Sequence, residues 1–145
     1  MQSTATAVWT GGLKDGKGSL AAGNGSFSGV PYDFGKRFEG TAGPGTTPEE
    51  LIAAAHSACF AMALSARLTQ GGHPPEELTV RAVCTLDRVE GGYAITTMEL
   101  DVRGKVPGID EAAFQAAVSD AEKGCPVSKA LAGNVAIRAT GHLEQ

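Results

Sequence analysis

The sequence predicts an α+β fold, and three observations lead to that class. Segments with β-strand alternation occupy the start and the middle of the chain, two segments have apolar residues at helical spacing, and the elements run strands, helix, hairpin, helix, strand. That order differs from the strict strand–helix alternation of a parallel α/β sheet. The chain has 145 residues, of which 42% are hydrophobic and 19% charged, so we expect a single domain over 1–145 with a packed core.

The first 47 residues, rich in Gly, Ser and Thr, predict an N-terminal β-meander. Thr4, Thr6, Val8 and Thr10 alternate with Ala5, Ala7 and Trp9, which is typical of a strand. Gly11-Gly12, Asp15-Gly16 and Gly23-Asn24-Gly25 then supply turns.

A long central helix is the clearest element of the sequence. Thr47 is a good N-cap, Pro48 suits the first helical position, and Glu50 completes a capping box with Thr47. We expect the helix to end near Gln70, because Gly71-Gly72 follows. Much of its surface is alanine or another apolar residue, so burial on more than one side is expected. So small a chain supplies few partners for such a helix, which hints at a dimer interface.

A β-hairpin is predicted over residues 77–103, with its turn at Glu90-Gly91-Gly92. Apolar and polar residues alternate on the first arm, with Val83 as the exception. The apolar face is formed by Leu78, Val80, Ala82, Cys84 and Leu86 on one arm and by Ala94, Thr96, Met98, Leu100 and Val102 on the other.

The C-terminal part predicts a second helix, a short third helix and a last strand. Asp110 is a good N-cap for the second helix, which is expected to end at Gly124. Cys125-Pro126 starts the short helix, which runs to about Leu131. The final strand is indicated by Val135, Ile137 and Ala139.

Composition excludes several function classes. The formal charge is −4 and the pI near 5.3, which argue against an extended nucleic-acid surface, as does an aromatic content of 6%. No run approaches the roughly 18 consecutive apolar residues of a membrane span. Met1–Thr10 lacks the pattern of a secretory signal. The odd number of cysteines, three, suggests intracellular thiols, so we expect a cytoplasmic protein without membrane or nucleic-acid partners.

The three cysteines predict different things. Cys84 lies on the apolar face of a predicted strand and is expected to be core packing. Cys59, in the middle of the long helix, is either a core residue or a thiol that needs a cation from elsewhere in the fold. Cys125 stands at a helix start, where N–H groups stabilise a thiolate. Cys59 and Cys125 are 66 residues apart, so only the fold can bring them together.

Three further residues are open to more than one reading. Arg37, between two phenylalanines, is either a snorkelling strand residue or a functional cation. Glu49 is explained by the helix start and lies about 15 Å along the helix axis from Cys59. If both serve one site, Arg37 bridges them or a second subunit supplies one of them. His56, Cys59 and Cys125 could also form a metal site, although no fourth ligand has a recognisable spacing.

Taken together, these segments resemble the OsmC/Ohr family of thiol-dependent peroxidases over essentially the whole chain. The combination of the Cys59 helix with Cys125-Pro126 is the specific part. The matching stretches are Arg37-Phe38-Glu39-Gly40, residues 47–60 (Thr-Pro-Glu-Glu-Leu-Ile-Ala-Ala-Ala-His-Ser-Ala-Cys-Phe), Val106-Pro107-Gly108-Ile109-Asp110 and Gly124-Cys125-Pro126-Val127-Ser128. Thr47 departs from the Asn of many members, but both residues cap helices.

The resemblance implies both a fold and a mechanism. It implies an intertwined homodimer with two sites at the subunit interface. Cys59 matches the peroxidatic cysteine, Cys125 the resolving cysteine, Arg37 the arginine that holds thiolate and peroxide, and Glu49 its carboxylate partner. The implied reaction reduces organic hydroperoxides through a Cys59 sulfenic acid and a Cys59–Cys125 disulfide, in oxidative or osmotic stress defence. The implied reductant is a dithiol on a lipoylated protein, with no cofactor or metal. The alternative is a redox-sensing or binding module that uses the same reversible disulfide.

Overall fold

The computed structural model of the chain describes residues 1–144. Its backbone forms two compact units, of which the first is Met1–Leu51 and the second begins at Ile52. The α+β class is confirmed, with helices and strands in the predicted order. That the whole chain acts as one domain stays a prediction.

The first unit contains the predicted β-meander. Strands β1 (Ala5–Thr10), β2 (Lys17–Ala22) and β3 (Val30–Tyr32) form an antiparallel sheet in the order β1-β2-β3. A π-helical turn, Gly35–Glu39, follows β3 and carries Arg37, so this arginine does not lie on a strand. Gly40 ends the turn with a left-handed φ of 63°, a conformation that favours glycine.

Helix α1 (Pro48–Gln70) has the predicted limits and begins with the predicted capping box. The Glu50 N–H donates to Thr47 Oγ1 at 3.1 Å, and the Thr47 N–H donates to Glu50 Oε2 at 3.2 Å. The side chains that the chain buries fully form one stripe at four-residue spacing: His56, Phe60, Leu64 and Leu68. In the single chain the opposite face is exposed, with Met62 at 76%.

By length and mean hydropathy, 1.5 over an 18-residue window, α1 is also long and apolar enough to cross a membrane. The core helix of a soluble protein passes the same test, and the stripe from His56 to Leu68 packs in the hydrophobic core. The apolar character of α1 is therefore accounted for, on this face, by core packing.

The second unit is built on a three-stranded sheet in the order β4-β5-β6. Strands β4 (Glu77–Val89) and β5 (Gly92–Lys105) form the predicted hairpin, with a register shift at Thr85/Leu86. Strand β6 (Ala136–Glu144) pairs parallel to β5. A parallel partner requires a crossover connection, and the two C-terminal helices supply it.

Those helices are α2 (Glu111–Gly124) and α3 (Pro126–Leu131). Asp110 caps α2 as predicted, because its Oδ1 accepts the Ala113 N–H at 2.8 Å. Phe114 of α2 lies so close to the sheet that a Cβ at Gly104 would come within 2.8 Å of its ring. The core of this unit joins the stripe of α1, the inner face of β5 and helix α2, and it includes Cys125.

Candidate active site

The second unit brings Cys59 and Cys125 into contact. Cys59 lies on α1 at the edge of the buried stripe, and Cys125 is the residue before α3. The two Sγ atoms are 3.2 Å apart, against about 2.05 Å in a disulfide. Cys125 is fully buried and Cys59 is half-buried. The geometry is that of two reduced thiols that share a hydrogen bond and need only a small movement to bond.

The environment of this pair separates the two pKa values. Burial raises the pKa of the Cys59 thiol; the Val127 N–H acts against this, and Cys125 raises the pKa further. Burial also acts to raise the pKa of Cys125, but hydrogen bonds with the Ser128 N–H, the Cys59 thiol, the Ser128 hydroxyl and the Val127 N–H bring it below its ordinary value. Within the second unit, these contacts therefore favour the thiolate at Cys125 over the thiolate at Cys59.

His56 and Ser128 form a second contact between the same two helices. His56 Nε2 and Ser128 Oγ are 2.7 Å apart, and both side chains are buried. Burial lowers the pKa of His56, which favours the neutral imidazole. Sequence reasoning considered His56 as a metal ligand and named Ser128 only as part of a matching stretch, without a role.

The first unit holds the predicted charged pair. Arg37 donates from Nε at 3.2 Å and from a terminal nitrogen at 2.8 Å, and both bonds end on Glu49 Oε1. The Arg37 side chain is 37% exposed and that of Glu49 is 9% exposed. The guanidinium also lies over the Phe38 ring, 5.1 Å from its centroid. Two hydrogen bonds and an aromatic face therefore fix the direction of this cation.

The turn that carries Arg37 is itself held in place. Asp33 Oδ1 accepts the Lys36 N–H at 2.8 Å, while Asp33 Oδ2 accepts from Lys17 Nζ at 2.9 Å. The Lys36 N–H and then Lys17 lower the pKa of Asp33. An ionised Asp33 thus ties the π-helical turn to β2.

An apolar cavity of about 330 Å³ opens beside Arg37 in the first unit. Arg37 and Asp33 are its charged lining residues. The rest of its wall is formed by Trp9, Leu13, Tyr32, Phe34, Phe38 and Pro48. The cavity combines an apolar wall with a cation, as a site for an amphipathic organic molecule requires.

The remaining candidates are structural or unsupported. Cys84, on β4, is half-buried and packs against the core, as predicted for a packing residue. Among residues 1–144 no group of three or more His, Cys, Asp or Glu side chains is arranged to hold a metal ion. His56, Cys59 and Cys125 were the suggested ligands, but the imidazole is hydrogen-bonded to Ser128 and the two thiols are hydrogen-bonded to each other.

Known proteins resemble this chain in sequence. The family model described as OsmC-like protein matches residues 40–140. The chain is 44% identical over 131 residues to peroxiredoxin OsmC of Escherichia coli (strain K12), which covers 90% of each chain. It is 35% identical over 102 residues to an organic hydroperoxide resistance protein of Xanthomonas axonopodis pv. citri, with 70% of each chain covered.

Solved structures show the same fold. The organic hydroperoxide resistance protein OhrB of Bacillus subtilis superposes with a TM-score of 0.75 at 27% identity, over 96% of this chain and 98% of that one. A corresponding protein of Elizabethkingia anophelis gives a TM-score of 0.75 at 27% identity, over 99% of each chain. The names of these relatives support a peroxidase-type role, and the predicted family is confirmed: this chain belongs to the OsmC family.

Proposed function

We propose that the protein is a cysteine-based peroxidase that reduces organic hydroperoxides to alcohols. The observation that carries the proposal is the contact of Cys59 with Cys125, 3.2 Å between sulfurs, in a chain whose relatives are named peroxiredoxin and organic hydroperoxide resistance protein. In the first step the Cys59 thiolate attacks one peroxide oxygen, the O–O bond breaks, and the alcohol leaves after taking a proton. Cys59 is then a sulfenic acid.

In the second step Cys125 resolves the oxidised cysteine. Its thiolate attacks the sulfenic sulfur, the S–S bond forms, the S–O bond breaks, and hydroxide leaves to become water. The buried, thiolate-stabilising position of Cys125 suits this role. Capture of the sulfenic acid also protects Cys59 from further oxidation. A dithiol, which we propose to be carried on a lipoylated protein, then reduces the disulfide.

Arg37 and Glu49 supply the charge that the first step requires. The contacts of Cys59 within the second unit raise the pKa of its thiol, so attack at neutral pH needs a cation from outside those contacts. We assign that role to Arg37, which also stabilises the negative charge moving across the O–O bond. Glu49 orients the guanidinium through its two hydrogen bonds.

The apolar cavity beside Arg37 accounts for a preference among peroxides. An alkyl or aryl group gains free energy by leaving water for a wall of aromatic side chains, roughly 25 cal/mol per Å² of apolar surface buried. Hydrogen peroxide has no such group. The proposed substrates are therefore organic hydroperoxides, handled by a cytoplasmic homodimer in stress defence.

Peroxide consumption by the purified protein tests the proposal. An organic hydroperoxide and hydrogen peroxide are compared, with dihydrolipoamide or a monothiol as the electron donor. We expect sustained turnover of the organic hydroperoxide with the dithiol and much slower turnover in the other combinations. A single stoichiometric oxidation without turnover would instead support the redox-sensing alternative.

A further inference from the structure

His56 and Ser128, which contact each other, are each three residues away from one of the two cysteines. His56 lies three residues before Cys59 on α1, and Ser128 lies three residues after Cys125 at the start of α3. One helical turn therefore separates each member of this pair from one of the sulfurs. The 2.7 Å bond between Nε2 and Oγ and the 3.2 Å contact between sulfurs join the same two segments side by side.

The Ser128 hydroxyl has one proton and two neighbours. It hydrogen-bonds to the Cys125 sulfur, where it favours the thiolate, and it also meets His56 Nε2. If the hydroxyl proton points to the sulfur, the oxygen accepts from a protonated Nε2. Two hydrogen bonds then follow one another: His56 Nε2–H donates to Ser128 Oγ, and Ser128 Oγ–H donates to Cys125 Sγ.

The other ring nitrogen decides between the two tautomers. Nδ1 of His56 is buried and has no hydrogen-bond partner among residues 1–144. With the proton on Nε2, Nδ1 is a bare acceptor, whereas the reverse tautomer would bury an unpaired N–H donor, which folded proteins tolerate less often. Burial lowers the pKa of His56, so a second proton on the ring is disfavoured. The surroundings of the His56 ring therefore favour the neutral tautomer with its proton on Nε2.

We propose that His56 and Ser128 hold the Cys125 thiolate against Cys59 for the formation of the disulfide. The proposal rests on the proposed function, because the Cys125 thiolate attacks the Cys59 sulfenic acid that forms when Cys59 reacts with a hydroperoxide. Ser128 contacts the reacting sulfur of Cys125, and His56 is a positioning residue that acts through Ser128. Neither takes part in the first step, the attack of Cys59 on the peroxide.

Separate measurement of the two steps tests the proposal. The reduced protein is mixed with one equivalent of an organic hydroperoxide, quenched at intervals, alkylated and analysed by mass spectrometry for sulfenic acid and disulfide. For Ser128→Ala we expect an unchanged rate of Cys59 oxidation, a disulfide rate about tenfold lower, and more sulfinic acid under excess hydroperoxide. His56→Leu, which has no donor, is expected to behave in the same way.

Matched variants separate this role from a merely structural one. His56→Gln keeps a neutral N–H donor and is expected to recover most of the disulfide rate that His56→Leu loses. Ser119→Ala, on the exposed side of α2, serves as the control and should change neither step. An unchanged disulfide rate in Ser128→Ala overturns the proposal, as does an equal slowing of both steps.

A second readout is independent of peroxide chemistry. In the Cys59→Ala background, the pH dependence of Cys125 alkylation reports its thiolate, and Ser128→Ala is expected to move the midpoint to higher pH. If the midpoint does not move, Ser128 does not stabilise the Cys125 thiolate and the proposal is overturned. Failure of the wild-type protein to consume any hydroperoxide, with the midpoint shift present, would instead reject the proposed function and leave the role in Cys125 ionisation established.

Discussion

The charged pair and the thiol pair of this chain are built in opposite ways. Arg37 and Glu49 meet in the first unit, where a short π-helical turn faces a helix start and the cation stays 37% exposed. Cys59 and Cys125 meet in the second unit between packed helices, and the groups that lower the pKa of Cys125 are N–H groups, a hydroxyl and the other thiol. Packing alone therefore brings the sulfurs together, but it favours the thiolate on Cys125. Under the proposed function, charge has to reverse that preference.

Removal of the peroxidatic sulfur is expected to have the largest effect. Cys59→Ser leaves the Arg37–Glu49 pair intact but removes the nucleophile, so hydroperoxide turnover should fall on the order of 10³-fold or more. Turnover is measured with a dithiol donor under saturating hydroperoxide. Cys84→Ala is the matched control, because Cys84 packs against the core; we expect it to cost about 1 kcal/mol of stability and no activity. Full activity of Cys59→Ser would show that the thiol pair is not the reactive centre.

Removal of the cation should come next in size. Arg37→Ala is expected to slow Cys59 oxidation on the order of 10²- to 10³-fold, the range found when a charge-stabilising donor is deleted. Arg37→Lys keeps the charge but loses the two-bond contact with Glu49, so we expect it to recover only part of the rate. The rate is measured in a single turnover.

Arg88→Ala controls for the loss of a positive charge elsewhere, because Arg88 is exposed on β4. A rate for Arg37→Ala equal to that of Arg88→Ala would mean that the two pairs do not serve one reaction. The Arg37–Glu49 pair and the Cys59–Cys125 pair would then belong to two unrelated sites.

Removal of either sulfur of the thiol pair is expected to change the pKa of the other. Cys125 raises the pKa of Cys59, so Cys125→Ala is expected to lower the pKa of Cys59. The hydrogen bond with Cys59 helps to lower the pKa of Cys125, so Cys59→Ala is expected to raise the pKa of Cys125. The pH dependence of alkylation of each remaining thiol, resolved by peptide, measures both. Shifts in the reverse directions would place the first thiolate on Cys59 without any cation.

The two pairs also differ in how far the sequence predicts them. The start of α1 follows from Thr47, Pro48 and Glu50, because capping is a local interaction. The π-helical turn of Arg37 has no comparable local pattern, so the sequence left open whether Arg37 is a strand residue or a functional cation. The contact of Cys59 with Cys125 depends on tertiary packing across 66 residues, and only the family resemblance indicated it.

The role of Ser128 was missed because a serine inside a short helix is ordinary in isolation. Its spacing was nevertheless readable: His56 and Ser128 each lie one helical turn from a cysteine, on the N-terminal side of one and the C-terminal side of the other. That pattern gains meaning only when the two cysteines are known to meet. The polar contacts of a site are thus harder to predict than its reactive groups.

The smallest expected effect concerns the helix start that carries Glu49. Thr47→Ala removes the acceptor of the Glu50 N–H and should cost about 1 kcal/mol of unfolding free energy, while Thr47→Ser keeps it and should cost less. Denaturant unfolding measures both, with Thr69→Ala near the exposed end of α1 as the control. Because Arg37 is also held by the Phe38 ring and by the turn that Asp33 fixes, we expect peroxidase turnover to change less than about threefold. A loss of turnover as large as that of Arg37→Ala would show that the cap, rather than the turn, positions the charged pair.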